Sequence, residues 1–172
     1  FAGGNSLRDY DPLIKAARNL PDIQFRLVTT RLNNRTDIPA NVKVGGEPYP
    51  EFIRLMRASS VVVVPVVKGL QRNAGMATLL NAMLLEKPSI ANESLGVRDH
   101  LEDGVTGFVV DGSPEDYEKA IRWLFDPANA DAVAEMGRKA REVVVNDFTY
   151  EKHLDGLVDN MQEVIAKFFE KN

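Results

Sequence analysis

The sequence contains no cysteine, only two histidines and no long uninterrupted apolar run. Disulfide bonds and thiolate metal sites are therefore excluded, and a reducing compartment is favoured. The longest apolar run, 61–67, is interrupted by Pro65 and is far too short to cross a bilayer. We expect a cytoplasmic location, with peripheral association of the full-length protein with a membrane as the alternative.

The chain also lacks the short motifs of several common enzyme classes. Residues 3–8 read Gly-Gly-Asn-Ser-Leu-Arg, without the G-x-G-x-x-G spacing of a dinucleotide site, so a nicotinamide cofactor is not expected. A Walker sequence and a G-x-S-x-G nucleophile motif are missing as well. The net charge of −4 argues against a broad basic surface for nucleic acid. The two histidines, His100 and His153, are far apart in the sequence, and no metal site is predicted.

Short strand-forming segments alternate with longer helical segments along the 172 residues, which suffice for one well-cored domain. This alternation predicts an α/β fold: a Rossmann-like three-layer sandwich with a mostly parallel sheet of about six strands. In such sheets ligands bind beyond the carboxyl ends of the strands. The predicted strands are 1–2, 23–29, 42–44, 61–64, 89–91 and 107–110, and helices are predicted at 9–19, from Pro50, after Gly75, at 96–101, 114–125 and 129–146, and after Thr149.

The chain divides into an α/β domain, 1–148, and a C-terminal amphipathic helical extension, 149–172. The apolar stripe of this last helix is longer than a small sheet needs, so we expect part of it to be exposed and to promote a homodimer. The chain opens at Phe1 on the end of a predicted strand, which favours a fragment of a longer protein. The stripe consists of Leu154, Leu157, Val158, Met161, Val164, Ile165 and Phe168.

The stretch from Gln71 to Ala91 carries the clearest binding signal, as a small polar loop, a helix and a buried strand. Asn73 is placed to cap the helix, because its side-chain oxygen can accept from a free backbone N–H. Gly75 allows another group to approach the backbone closely. A helix that begins in this way presents free N–H groups and the positive end of its dipole, which suits a phosphate. The alternative is an ordinary capped helix packed on a sheet.

Two cations are predicted at the ligand edge of the sheet. Arg8 follows the glycine turn, and its planar guanidinium is suited to a phosphate. Lys68 follows the apolar strand. For each of them, a solvated surface side chain is the alternative. Three carboxylates, Glu47, Glu93 and Asp99, are in loops at the same predicted edge, and the same alternative applies to them.

Four segments, taken in order, carry a family resemblance. These are FAGGNSLRDYDPLIKA, then VKVGG with PEFIRLMRASSVVVVP, then GMATLLNAMLLEKPSIA, and finally LGVRDHLEDGVTGFVVDGSPEDYEKAI. Together they resemble the C-terminal, donor-binding domain of the GT-B glycosyltransferases of family 4, also called group 1. The resemblance covers nearly the whole chain and rests on the order and spacing of the segments.

The resemblance implies a retaining, hexosyl-type glycosyltransferase in the full-length protein, with a nucleoside-diphosphate sugar as donor. The domain 1–148 would bind the donor, and the helix 149–172 would cross to a missing N-terminal domain that holds a sugar, lipid or other acceptor. It also implies no cofactor and no metal, since basic side chains and backbone N–H groups neutralise the diphosphate. A catalytic residue is not assigned. The implied donor and phosphate residues are Gly4, Asn5, Arg8, Lys68, Asn73, Ala74, Gly75, Met76, Thr78 and Asn81.

The sequence departs from this family at two important positions. Asn73 and Asn81 stand where the family has the two glutamates of an E-x7-E pattern. A neutral amide forms weaker hydrogen bonds than a carboxylate, which is charge-assisted. A degenerate, non-catalytic binding or regulatory module is therefore the alternative function. A flavodoxin-like or other sugar-phosphate-binding α/β domain is a third interpretation.

Overall fold

The computed structural model describes residues 1–170; Lys171 and Asn172, the end of the predicted helical extension, lie outside the described residues. Six parallel strands form one sheet in the order β3-β2-β1-β4-β5-β6. This confirms the predicted Rossmann-like α/β fold. The strands are β1 (Ala2–Gly3), β2 (Phe25–Val28), β3 (Val42–Gly45), β4 (Val62–Val64), β5 (Ser89–Asn92) and β6 (Phe108–Val110).

Within the described residues, six α-helices connect and follow these strands. Most of their bounds lie within two residues of the prediction, but the helix expected at 96–101 is only a 3₁₀ turn, Val97–Asp99. Gly96 before this turn takes a positive φ, and the turn ends at His100. The helices are α1 (Asp11–Arg18), α2 (Tyr49–Ala58), α3 (Met76–Leu84), α4 (Pro114–Phe125), α5 (Ala130–Asp147) and α6 (Tyr150–Glu170).

The core lies on both faces of the sheet, which makes three layers. In β4, Val63 faces a cluster with α1 and α4, whereas Val62 and Val64 face a second cluster with α3 and α5. All three valines are buried, as expected for a central strand of a parallel sheet. Each contributes about 1.5–3 kcal/mol through burial of its side chain. The sheet is therefore a rigid support for the loops at its carboxyl edge.

The last helix differs from the others because its apolar stripe is exposed. Leu157 is 46% exposed and Met161 is 63% exposed, and the rest of the stripe is exposed as well. No helix within residues 1–170 is both long and apolar enough to span a membrane. The stripe is thus an exposed apolar surface.

Candidate functional site

A polar cleft lies where the carboxyl ends of β1 and β4 meet. These neighbouring strands lead to helices on opposite faces of the sheet, α1 and α3, which opens a crevice between them. The cleft has a volume of about 390 Å³. Within the described part of the chain, its lining includes two arginines and no carboxylate, so it suits an anion. The lining residues are Gly4, Asn5, Ser6, Leu7, Arg8, Arg72, Asn73, Ala74, Gly75, Ala77 and Thr78.

Arg8 is at the centre of this cleft and is only 7% exposed. Its Nε donates to the Gly3 carbonyl (3.3 Å), its Nη1 to the Ser6 carbonyl (2.9 Å) and its Nη2 to the Thr78 hydroxyl (3.2 Å). No carboxylate within residues 1–170 forms an ion pair with it. Burial lowers the pKa of the guanidinium, and the nearby Tyr10 opposes this shift. A buried cation with only neutral oxygen partners is well placed to receive an anion.

The glycine turn beside Arg8 is held at both of its backbone groups. The Gly4 N–H donates to the Val28 carbonyl (3.0 Å), and the Tyr10 hydroxyl donates to the Gly4 carbonyl (2.6 Å). Burial raises the pKa of Tyr10 to about 12, so this hydroxyl keeps its proton at neutral pH. Gly4 has a φ of +113°, and a Cβ there would lie 3.2 Å from Arg8 Nη2. Glycine therefore allows the guanidinium to pack directly against the turn.

Helix α3 begins next to the same guanidinium and has no side-chain cap. Its first intrahelical hydrogen bond runs from the Leu79 N–H to the Gly75 carbonyl (3.0 Å), so the N–H groups of 76–78 have no partner within the helix. Gly75 has a φ of +87°, and a Cβ there would lie 2.6 Å from Val64 Cγ1 and 3.5 Å from Arg8 Nη1. A buried cation thus lies at the positive end of a helix dipole, and both favour an anion between them.

The prediction that Asn73 caps this helix was wrong. The residue before the helix is Gly75, and its left-handed backbone separates Asn73 from the first turn. The Asn73 side chain instead packs against Gly96, where a Cβ would lie 2.9 Å from Asn73 Nδ2. Glycine is also favoured at the N-cap, so the preference of asparagine for this position did not by itself identify the cap. Asn73 therefore joins the cleft to the loop after β5.

The other predicted residues of α3 are not all at the cleft. Thr78 is buried and accepts from Arg8, and Ala74 is part of the lining. Met76 is half-buried and does not line the cleft. Asn81 is also half-buried and lies one turn beyond Thr78, outside the lining.

Asn5 and Lys68, both among the implied donor and phosphate residues, have different positions. The Asn5 Oδ1 accepts from the Thr29 hydroxyl (2.7 Å) and from the Thr30 N–H (3.0 Å), which ties the glycine turn to the end of β2. Asn5 still lines the cleft. The structure does not bring Lys68 there, because it is exposed and lies beside Gly112, where a Cβ would be 3.1 Å from Lys68 Cε.

Sequence reasoning missed a second cation of the cleft, Arg72, which is part of the lining. Its position directly before Asn73, in the loop that leads to α3, was the sequence signal that could have identified Arg72. The predicted edge carboxylates are mostly engaged elsewhere. Glu47 pairs with Arg26, and Glu93 pairs with Arg98.

Neither histidine lies at the cleft. The His100 ring stacks on Phe148, with 4.6 Å between the ring centroids, and its Nδ1 is 2.8 Å from the Gly96 carbonyl. His153 is on the exposed α6. Within the part of the chain that the structure describes, no group of three or more His, Asp or Glu side chains is arranged to hold a metal ion.

Comparison with known proteins gives a consistent result. The profile of the family described as "Glycosyl transferases group 1" matches residues 6–127. The trehalose synthase of Thermococcus litoralis is 28% identical over 137 residues, which is 80% of this chain and 32% of that protein. This chain thus spans about a third of the length of that curated relative.

Two solved structures show the same fold at low sequence identity. A glycosyltransferase from Rickettsia africae has a TM-score of 0.76 at 17% identity, over 95% of this chain and 47% of the other. Anabaena Alr3699/HepE, solved in complex with UDP and glucose, has a TM-score of 0.76 at 18% identity, over 94% of this chain and 48% of the other. The profile match covers well over half of the chain, and the fold is that of GT-B enzymes. The chain therefore belongs to the group 1 glycosyltransferase family.

Proposed function

We propose that this chain is the donor-binding domain of a retaining, hexosyl-type glycosyltransferase, which binds a nucleoside-diphosphate sugar. The family supports a transferase. The Anabaena relative was solved with UDP and glucose, which supports a nucleotide-sugar donor. The cleft between the glycine turn and the start of α3 would take the diphosphate.

The observation that carries this proposal is the state of Arg8. Its guanidinium is buried, has no carboxylate partner within residues 1–170, and lies against the N-terminus of α3. Burial of an unpaired charge is costly, and a bound anion removes that cost. A diphosphate also has enough oxygen atoms to accept from Arg8 and from the free N–H groups of 76–78 together.

The same arrangement suits the chemistry of glycosyl transfer. The bond between the anomeric carbon of the sugar and the diphosphate oxygen breaks, the acceptor hydroxyl oxygen forms the new bond on the same face, and the hydroxyl proton passes to the departing diphosphate. Negative charge grows on the departing diphosphate, where fixed donors stabilise it. We infer that Arg8, Arg72 and the N-terminus of α3 supply this stabilisation, and that no metal is needed.

Donor contacts beyond the diphosphate stay predictions. Asn73 would hydrogen-bond the donor sugar, and Asn81 would hydrogen-bond the ribose. Asn81 lies outside the cleft lining, so the ligand would have to extend past Thr78 to reach it. Lys68 would need movement of the loop 65–75 to take part.

The rest of the enzyme would supply the acceptor site. We propose that α6 crosses to an N-terminal domain that is not part of this chain. The exposed apolar stripe supports this, because it needs a cover. Without that domain, the stripe is expected to cause self-association of the isolated chain. We also propose a cytoplasmic location, with the full-length enzyme peripheral to a membrane if its acceptor is a lipid.

Titration of the isolated chain with UDP, GDP and ADP by calorimetry tests the donor site. We expect one of the three to bind with a Kd on the order of 1 mM or tighter, with no transfer of sugar. EDTA should leave this affinity unchanged. If a folded sample bound none of them at millimolar concentration, the proposal would be wrong.

A second candidate function is a non-catalytic binding or regulatory module. The asparagines at 73 and 81 favour it, since the family has glutamates there. Assay of the full-length protein and of its Asn81→Glu variant separates the two functions. Turnover by the wild-type enzyme would exclude the module, whereas turnover only by the variant would support it.

A further inference from the structure

A buried amide outside the cleft pairs with the backbone segment that contacts Arg8. Asn92 is the last residue of β5 and is 4% exposed. Its Oδ1 accepts from the Val66 N–H (3.2 Å), and its Nδ2 donates to the Val66 carbonyl (2.5 Å). One side chain therefore pairs with both backbone groups of one residue, as a neighbouring strand would.

Tyr117 fixes this amide in place. Its side chain is fully buried in α4, and its hydroxyl donates to Asn92 Oδ1. Burial raises the pKa of Tyr117 well above its usual value, so the hydroxyl keeps its proton and stays a donor. Because Oδ1 accepts this bond, Nδ2 is the group that faces the Val66 carbonyl. The tyrosine thus sets the orientation of the amide.

Val66 in turn contacts both sides of the cleft, namely the segment of Arg8 and the start of α3. It forms an isolated antiparallel bridge with Arg8. Flanking bonds run from the Asp9 N–H to the Pro65 carbonyl (3.0 Å) and from the Val67 N–H to the Leu7 carbonyl (3.1 Å). On the other wall, a Cβ at Gly75 would lie 3.1 Å from Val66 Cγ2. A shift of Val66 would therefore move Arg8 relative to the start of α3.

The pairing between β4 and β5 does not extend to Val66. β4 ends at Val64, and its register with β5 ends where Val64 pairs with Ala91. Beyond that point, the Asn92 side chain replaces the sheet on the β5 side of Val66. Loss of the amide would leave two buried backbone groups unpaired and the segment free to move.

We propose that Asn92, oriented by Tyr117, is a positioning residue that holds the Arg8 backbone in register with the N-terminus of α3. The effect on ligand affinity rests on the proposed function, in that it requires the cleft to bind a nucleoside diphosphate. The effect on the geometry of Arg8 does not require it. Neither residue lines the cleft.

The test compares Asn92→Ala with a matched control, Asn41→Ala, by calorimetry with UDP. Asn41 also holds backbone through its amide, donating to the carbonyls of Ala17 (3.0 Å), Leu20 (2.8 Å) and Ile23 (3.0 Å). It precedes β3 at the opposite edge of the sheet. Both variants should lose stability, but only Asn92→Ala should raise the Kd of the folded protein, by about tenfold.

A second measurement works without ligand. Because the Arg8 Nε–H donates to the Gly3 carbonyl, we expect it to give a resolvable ¹⁵N–¹H NMR signal, which should shift in Asn92→Ala and stay unchanged in Asn41→Ala. If Asn92→Ala does not fold, Tyr117→Phe takes its place, because it keeps both Val66 bonds and removes only the orienting donor. We then expect a smaller rise in Kd, about threefold, with a shifted Arg8 signal.

The outcomes separate the two proposals. A folded wild-type chain that does not bind UDP, GDP or ADP would count against the proposed function, and the ligand-free Arg8 signal would then decide the positioning role. An Arg8 signal and a Kd that are the same in wild type, Asn92→Ala and Asn41→Ala would overturn the positioning role and leave the proposed function standing.

Discussion

Two arginines of this chain are in opposite electrostatic situations. Arg35 lies at the surface between two carboxylates, with Nε 2.5 Å from Asp37 Oδ1 and Nη1 paired with Asp11. Arg8 is buried and, within residues 1–170, has hydrogen bonds only to neutral oxygen atoms. The carboxylates raise the pKa of Arg35, whereas burial lowers that of Arg8.

The difference shows which of the two charges has a counter-ion within the described part of the chain. The Arg35 group has its own counter-ions, and such exposed pairs contribute little to stability. Arg8 carries a desolvation cost that the described residues do not offset. A buried charge without a counter-ion in the chain is expected where a bound anion supplies the opposite charge. The presence or absence of a counter-ion thus distinguishes a structural arginine from one that can bind an anion.

The largest effect is expected when each arginine is replaced by methionine. Arg8→Met should weaken UDP binding by about 100-fold, because it removes a charge-assisted contact to the diphosphate. Its free energy of unfolding should change by less than about 1 kcal/mol, since the lost hydrogen bonds are offset by the loss of a buried unpaired charge. Calorimetry and urea unfolding measure the two quantities.

Arg35→Met is the control, and it should leave UDP affinity unchanged. Equal loss of affinity in the two variants would mean that the cations act only through net charge. A large loss of stability in Arg8→Met, with affinity intact, would mean that Arg8 is a structural residue.

A second prediction concerns the wall against which Arg8 packs. Gly75→Ala combines a φ of +87° with a Cβ 2.6 Å from Val64 Cγ1, and should lower the free energy of unfolding by about 3 kcal/mol. Gly69 is the matched control, because its φ is +74° and nothing lies within 4 Å of its Cβ position. Gly69→Ala should cost only about 1 kcal/mol, for the backbone strain alone. Urea unfolding of the two variants gives the comparison, and equal losses would contradict the close packing at Gly75.

A third region, the apolar stripe of α6, is exposed to solvent. Removal of residues 149–172 should change the free energy of unfolding by less than about 0.5 kcal/mol, because the stripe of α6 is exposed. It should also abolish self-association of the isolated chain, as measured by analytical ultracentrifugation. Marked destabilisation would show that α6 packs on 1–148. A strictly monomeric wild-type chain would show that the stripe is covered.

The smallest expected effect is the pH dependence of the Arg35 group. Hydrogen bonds from Arg35, and a weaker one from Arg18, hold the pKa of Asp37 well below its usual range, partly opposed by desolvation. The folded pKa is thus depressed, so this stabilisation is fully present above the unfolded pKa of about 3.9 and is lost as pH falls further. The difference in unfolding free energy between wild type and Asp37→Asn should shrink as pH is lowered from 5 to 2. A constant difference would mean that the pair does not act through charge.

The sequence predicted most of the fold because the evidence for it is local. The valines of β4 form a short apolar run that only a strand buried on both faces explains, and Ser113 gives a clear helix start, with its hydroxyl accepting from the Asp116 N–H. Parallel strands alternating with helices then leave few topologies. The 3₁₀ turn after Gly96 was missed because apolar spacing alone does not distinguish one turn from a short helix.

The site was less predictable because it depends on distant contacts. Arg8 lies against Gly75 because β1 packs beside β4. The sequence pattern indicated the residue types but not this contact. Asn73 was assigned as a cap from its preference, but the positive φ of Gly75 is a property of the folded backbone. The link from Asn92 to Val66 joins residues 26 positions apart, and no sequence signal marks it.

The most direct test of the central claim is a UDP titration of the wild-type chain followed by ¹⁵N–¹H NMR. If the cleft binds the diphosphate, the Arg8 Nε–H signal and the backbone N–H signals of 75–78 should shift together, with one common Kd. If those signals stay fixed while others shift, or if none shifts at millimolar UDP, the buried guanidinium does not receive the anion.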